Sequence, residues 1–172
     1  MQTTGYRPLD RFPTERIAPT EFDNFYRKQQ LIGYVHDETA CFFGGVQGNA
    51  GLFSNANDLA KLCQMWLNKG TYGNERILSP KTVELFLTEK SSTSRRGLGF
   101  DKPDMENPEK SPTAIEASAS TIGHLGFTGT CFWIDPEQEL IYIFLCNRVY
   151  PSRTHDALSQ LKIRPELFST IY

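Results

Sequence analysis

No apolar run in this 172-residue chain is long enough to cross a membrane as a helix, and the opening stretch MQTTGYRPLD has no basic region leading into an apolar one. Neither a leader nor a membrane segment is expected from these residues. Excess positive charge is also missing. Eighteen Lys plus Arg stand against 20 Asp plus Glu, a net charge of −2, so there is no basic field to gather phosphates and no nucleic-acid partner is expected. The four cysteines (Cys41, Cys63, Cys131, Cys146) show no C-x-x-C spacing, and His36, His124 and His155 lie far apart. That removes the usual zinc frameworks, and we expect free, mostly buried thiols and no cofactor. Internal repeats are absent, and no carboxylate pair stands out for glycoside hydrolysis. What is present, 39% hydrophobic and 22% charged residues, is the composition of one globular domain able to bury a core.

The first 35 residues hold Pro8, Pro13 and Pro19 with no sustained period of 3.6 or 2, which predicts an irregular segment lying on the surface of something else. Residues 41–53, CFFGGVQGNAGLF, carry Gly44, Gly45, Gly48 and Gly51 and read as a buried loop or a site wall. After them Leu59, Leu62, Cys63, Trp66 and Leu67 form one apolar helical stripe, with Ser54 as the expected N-cap and Gly70 as the stop. Ser79 followed by Pro80 announces a second helix carrying Val83, Phe86 and Leu87. Residues 88–96 and 101–120 are polar and Pro-bearing, and predict surface loops around a short strand, RGLGF.

The last third is β-type. GHLGFTG, TCFWID and ELIYIFLCN predict three antiparallel strands, the latter two joined through Asp135-Pro136-Glu137-Gln138. Leu140 to Cys146 are apolar without alternation, which places that strand in a sheet interior with both faces covered. Phe132, Trp133, Tyr142 and Phe144 are expected in the core rather than on a substrate platform. An amphipathic stretch with Ala157, Leu158 and Leu161 closes the chain. The fold class is α/β of the α+β type: an antiparallel meander with helices packed on both faces.

Serine acyl transfer needs a nucleophile, a base and an oxyanion hole. Gly123, Gly126 and Gly129 interrupt a β-type run, and glycine within a strand marks a bulge, a tight contact or the close approach of a ligand. Ser159-Gln160-Leu161-Lys162 matches S-x-x-K in letters but follows the strands and sits on an expected surface helix; Tyr72-Gly73-Asn74 matches Y-x-N but reads as a turn. In His36-Asp37-Glu38, neighbouring side chains diverge, so Asp37 is expected to bond backbone in the glycine loop rather than to orient His36. His155 is expected at the solvent-exposed start of the final helix.

GHLGFTGTCFWIDPEQELIYIFLCNR resembles the third-motif hairpin of serine β-lactamase-related proteins, the class C and penicillin-binding-protein-like hydrolases. VHDETACFFGGVQGNAGLFSNANDLAKL resembles the segment those proteins place before a helix, and MQTTGYRP is similar to the stretch after their tyrosine motif. The resemblance covers nearly the whole chain and implies a single, incomplete β-lactamase/transpeptidase-like domain over residues 1–172. It puts His124, Leu125 and Gly126 on the K/H-x-G strand, with His124 as an auxiliary head and the Phe127 N–H as a donor to the oxyanion. Leu125 stands where the family commonly has a hydroxyl residue, and Asn49 where a histidine is expected. The S-x-x-K and Y-x-N motifs are expected before residue 1, together with two strands of the sheet.

That resemblance implies a small-molecule or cell-wall-derived acyl substrate in a complete protein, an isolated chain that is inert, and a place in the periplasm or cell envelope. A non-catalytic module binding through the same cleft is the alternative. Lacking its partner strand, Leu140 to Asn147 would be an apolar edge, so self-association there, or cover from the N-terminal 35 residues, is expected.

Overall fold

The computed structural model describes residues 1–88 and 90–172. Its centre is a three-stranded antiparallel sheet in the order β5-β6-β7, formed by β5 (Ile122–Leu125), β6 (Cys131–Asp135) and β7 (Leu140–Phe144). The three-stranded meander is as expected from the β-type runs, though the first run is strand only as far as Leu125 and the third only to Phe144. Register pairs Gly123 with Trp133 and Trp133 with Tyr142, so Cys131, Trp133 and Tyr142 share one face while Ile122, Ile134 and Ile141 share the other.

Helices cover both faces. On one, α2 (Ala56–Leu67) and α3 (Pro80–Thr88) bring Cys63, Trp66, Leu67 and Leu87 against Ile122 and Ile134. On the other, Phe168 of α5 (Ile163–Ser169) stacks its ring on Tyr142, with centroids 4.6 Å apart and planes 7° apart, beside Trp133 and Ala117. The aromatic residues of the meander are core residues; Trp133 is fully buried. Burial pushes the thiols of Cys63 and Cys131 up to about 12, and all four cysteines are free, two buried and two half-buried.

The N-terminal third departs from the sequence reading. Instead of an irregular segment, β1 (Pro19–Asp23) and β2 (Gln29–Ile32) form an antiparallel hairpin. Its alternation is inverted: Glu21 and Asp23 are buried, whereas Phe22 is half exposed. A search for apolar periodicity therefore passes over it. Asp23 accepts hydrogen bonds from the Phe25, Tyr26 and Arg27 N–H groups and from Arg27 Nε at 2.6 Å, which closes the hairpin turn. Asp37 N-caps α1 (Glu38–Phe42), accepting from the Ala40 N–H at 2.7 Å, so its role is structural, as expected, but its partner is helical backbone ahead of the glycine loop.

Other expectations shift by small amounts. Asn55, not Ser54, caps α2 by accepting from the Asp58 N–H at 2.9 Å; the Ser54 hydroxyl instead meets Thr4 Oγ1 at 2.7 Å. Gly70 stops the helix at φ 94°, and Ser79 caps α3 through the Thr82 N–H at 3.0 Å. Tyr72 and Asn74 belong to the small hairpin of β3 (Thr71–Tyr72) and β4 (Glu75–Arg76). RGLGF forms no strand; only Asp101 bridges to Gly123 on the outer edge of β5. Glu89, part of the expected loop 88–96, lies outside the described residues. The chain end holds two helices, α4 (Ala157–Gln160) and α5, because Lys162 adopts a left-handed conformation between them. Leu161, expected on the packed face, is exposed, and Phe168 takes the buried position.

β7 is not interior. Among the described residues it pairs only with β6, so its faces are covered while its outer edge is open. The N-terminal hairpin forms a separate sheet and does not cap that edge. No described helix is long and apolar enough to cross a membrane.

Candidate active site

Strand β5 ends at Leu125, and the chain turns over residues 126–129: the Gly126 N–H donates to Thr130 O at 2.7 Å, and the Gly129 N–H donates to Gly126 O at 3.0 Å. The three glycines of this run are explained by protein packing. A Cβ on Gly123 would meet Phe132 O and the Trp133 ring, one on Gly126 would meet Thr130 Oγ1, and one on Gly129, at φ 115°, would meet Cys146 Sγ. The Phe127 N–H, by contrast, has no hydrogen-bond partner among the described residues, and Phe127 O accepts from Arg148 Nε at 2.8 Å. The turn thus presents a free donor beside a fixed carbonyl.

His124 is exposed, at the head of this segment. Arg96 Nη1 lies 2.6 Å from its Nε2 and its Nδ1 lies 2.8 Å from Leu125 O. Because a guanidinium only donates, Nε2 accepts in the contact with Arg96 and Nδ1 faces the Leu125 carbonyl as donor. Arg96 is placed there by the bridge between Asp101 and Gly123 and by buried Asp101, which holds neighbouring Arg95 at 2.8 Å. Leu125 packs on the Trp133 face of the sheet.

The turn forms one wall of an open cleft of about 920 Å³. Residues 124–128 line one side, the glycine loop 49–53 and the segment 34–38 line others, and Asn147 and Arg153 come from beyond β7. Of the glycine-bearing stretch 41–53, only residues 49–53 line the cleft, and the stretch is not buried: Phe42 and Phe43 are mostly exposed and Gly48 and Asn49 are open to solvent. Asn147 Oδ1 is buried without a hydrogen-bond partner among the described residues.

The structure also assembles a polar cluster that sequence spacing did not reveal. His36 Nε2 lies 2.9 Å from Glu21 Oε2, so the carboxylate oriented toward His36 is Glu21 of β1 and not the adjacent Asp37. Arg153 donates to Glu21 from its backbone N–H at 3.0 Å and from Nε at 2.7 Å, and reaches Glu38 Oε1 at 2.7 Å. Burial opposes ionisation of Glu21, yet the hydrogen bonds from Arg153 and His36 outweigh it and hold its carboxyl below the usual range. The imidazole of His36 stacks on the Phe127 ring, with centroids 5.5 Å apart and planes 26° apart, and the Arg148 guanidinium carbon lies 4.6 Å from the centroid of the same ring. The sequence signal for this cluster was confined to His36 and Glu38; Glu21 and Arg153 are 132 residues apart.

The competing motif matches are not brought to the cleft. Ser159 is exposed on α4, and Lys162 Nζ turns to Glu109, donating to its carbonyl at 3.0 Å. His155 is exposed at the approach to α4, as expected. Among the described residues, no three His, Cys, Asp or Glu side chains are grouped so as to hold a metal.

Residues 2–164 match the Beta-lactamase family, and the chain belongs to it. It is 36% identical over 182 aligned positions to a Salmonella paratyphi B protein named "Putative D-alanyl-D-alanine carboxypeptidase", and equally to the protein of that name from Salmonella newport. The alignment takes in 98% of this chain but 40% of each relative, so the chain spans less than half the length of these curated relatives. Among solved structures, a β-lactamase from Mycobacterium bovis is similar over 66% of this chain and 46% of its own, at 20% identity and TM-score 0.48. A penicillin-binding protein homolog from Caulobacter crescentus is similar over 70% and 33%, at 21% identity and TM-score 0.49.

Proposed function

We propose that this chain is the C-terminal portion of a serine hydrolase of the β-lactamase and penicillin-binding-protein-like kind, supplying one wall of an acylation pocket whose serine and lysine come from polypeptide outside it. The observation that carries the reading is the unpartnered Phe127 N–H on the cleft rim, directly after the His124-Leu125-Gly126 segment. A fixed N–H aimed at developing negative charge is worth about 3 kcal/mol of transition-state stabilisation when it forms half of an oxyanion hole. His124 serves as an auxiliary head, and Leu125 and Gly126 shape the wall. Leu125 brings no hydroxyl for a substrate carboxylate, which disfavours a specific β-lactam substrate and favours a wider class of acyl esters, amides or wall peptides. The name of the 36%-identical relatives supports a wall-peptide acyl group, and with it work at the cell envelope.

On this reading the isolated chain is chemically inert. Incubation with a reactive acyl ester or β-lactam probe should add no mass, and adding the upstream polypeptide should restore labelling at a serine of that polypeptide. Covalent labelling of Ser159 in the chain alone would overturn the proposal. The open edge of β7 gives a second check: the chain alone should self-associate through residues 140–147, and a monodisperse monomer at high concentration with that edge bare argues against a missing neighbouring strand.

A further inference from the structure

We infer that His36 is a positioning residue for the Phe127 turn, holding the donor N–H in place through the ring of Phe127; the inference rests on the function proposed above. Glycines at positions 126 and 129 leave the turn with wide backbone freedom. Phe127 itself is 61% exposed, so burial does not fix it. Hydrogen bonds and one ring contact do. Arg148 holds the carbonyl side, donating from Nε to Phe127 O at 2.8 Å and from its own N–H to Thr128 O at 2.9 Å. The peptide that carries the Phe127 N–H is pinned at its carbonyl, Gly126 O accepting from the Gly129 N–H at 3.0 Å, and the ring stacked on His36 adds a restraint on the other side of the Phe127 Cα.

A stack fixes a turn only if its other member cannot move, and His36 is restrained at both ends. Its ring is bonded to Glu21 at 2.9 Å, and its carbonyl accepts from Arg27 Nη2 at 2.8 Å. Glu21 is in turn gripped by the backbone and the side chain of Arg153. Arg27 is fixed by Asp23. The inverted hairpin, with its carboxylates inward, is thereby the frame that carries the stack to the cleft. Loss of the ring should leave the fold intact and loosen the turn.

The test uses the full 172-residue chain, with backbone order parameters measured by ¹⁵N relaxation. In the wild type, residues 126–128 should match the rigid strands, at about 0.85. His36→Gln retains a donor for Glu21 but loses the ring, and should lower those residues to about 0.6 or below while β6 is unchanged. The double variant His36→Phe with Glu21→Gln keeps the stack without the ion pair and should restore rigidity. Unchanged order in His36→Gln, or no recovery in the double variant, overturns the assignment. With the upstream polypeptide added, His36→Gln should cut the acylation rate at saturating probe on the order of 10-fold, with little change in half-saturating concentration. A wild-type mixture that never acylates would overturn the proposed function, whereas the relaxation result judges His36 by itself.

Discussion

In the meander, Trp133 and Ile134 are excluded from water on opposite faces of one strand; in the hairpin of β1 and β2, the excluded side chains are Glu21 and Asp23, and the phenylalanine between them is half exposed. The first region is held by non-directional apolar burial, which accepts contributions from any element that covers it. The second is held by directed bonds to particular donors. Asp58 extends the pattern to the chain start: its Oδ2 accepts from the Gln2, Thr3 and Thr4 N–H groups at 2.9, 2.8 and 3.1 Å and straps residues 2–4 to the first turn of α2. The cleft lies where the two kinds of structure meet. Its Phe127 turn is an extension of the apolar sheet, and the His36 it leans on belongs to the polar frame.

The largest expected effect is on the apolar side. Trp133→Ala should cost about 3 to 5 kcal/mol and shift the unfolding transition of the whole chain, read by denaturant titration. Glu21→Ala should cost less, about 2 to 3 kcal/mol, because Arg153 retains solvent and Glu38 while His36 loses its buried partner. Its signature should be local, with faster amide exchange in residues 19–38 than in β6. Equal acceleration in both regions would erase the distinction between them.

Acid should separate the regions as well. The carboxyls of Glu21, Asp23, Glu38 and Asp58 are all held below their usual ranges; burial opposes this at Glu21, Asp23 and Glu38, and the donors from Arg153, Arg27 and local N–H groups outweigh it, while at Asp58 the Thr3 N–H is the leading cause. Groups with depressed folded pKa values contribute stability above their unfolded pKa, about 4, and lose it as pH falls through the folded values. Residues 2–38 should therefore lose exchange protection progressively as pH falls below about 4. In the meander Asp135 is likewise lowered, against burial, by Ser118 and Tyr172. There the apolar core should keep the strands protected to lower pH. The smallest effect belongs to Asn55→Ala, about 1 kcal/mol for a lost N-cap, and a matching loss from Ser54→Ala would reassign the cap.

Legibility in the sequence followed the same division. The stripe of Leu59, Cys63 and Trp66, the Ser79-Pro80 start and the three β-type runs are short-range patterns, and each appears where it was read. Phe168 was missed because Lys162 interrupts the helical period before it. The hairpin was missed because its alternation has the opposite sign. Of the candidate site, the segment from His124 to Phe127 was singled out through its resemblance to the family's motif. Arg96, Arg148, Glu21 and Arg153 were not, since each reaches the cleft area from a distant part of the chain.

The order of residues alone therefore settled the family, the antiparallel meander and the cover that α2 and α3 give to one of its faces, because apolar periodicity and turn chemistry act over a few positions. Tertiary structure alone decided which carboxylate meets His36 and where the glycines find their crowding atoms. Those outcomes depend on distances between segments up to 132 residues apart, and a hydrogen bond needs its partner within about 3 Å, a condition no local pattern encodes.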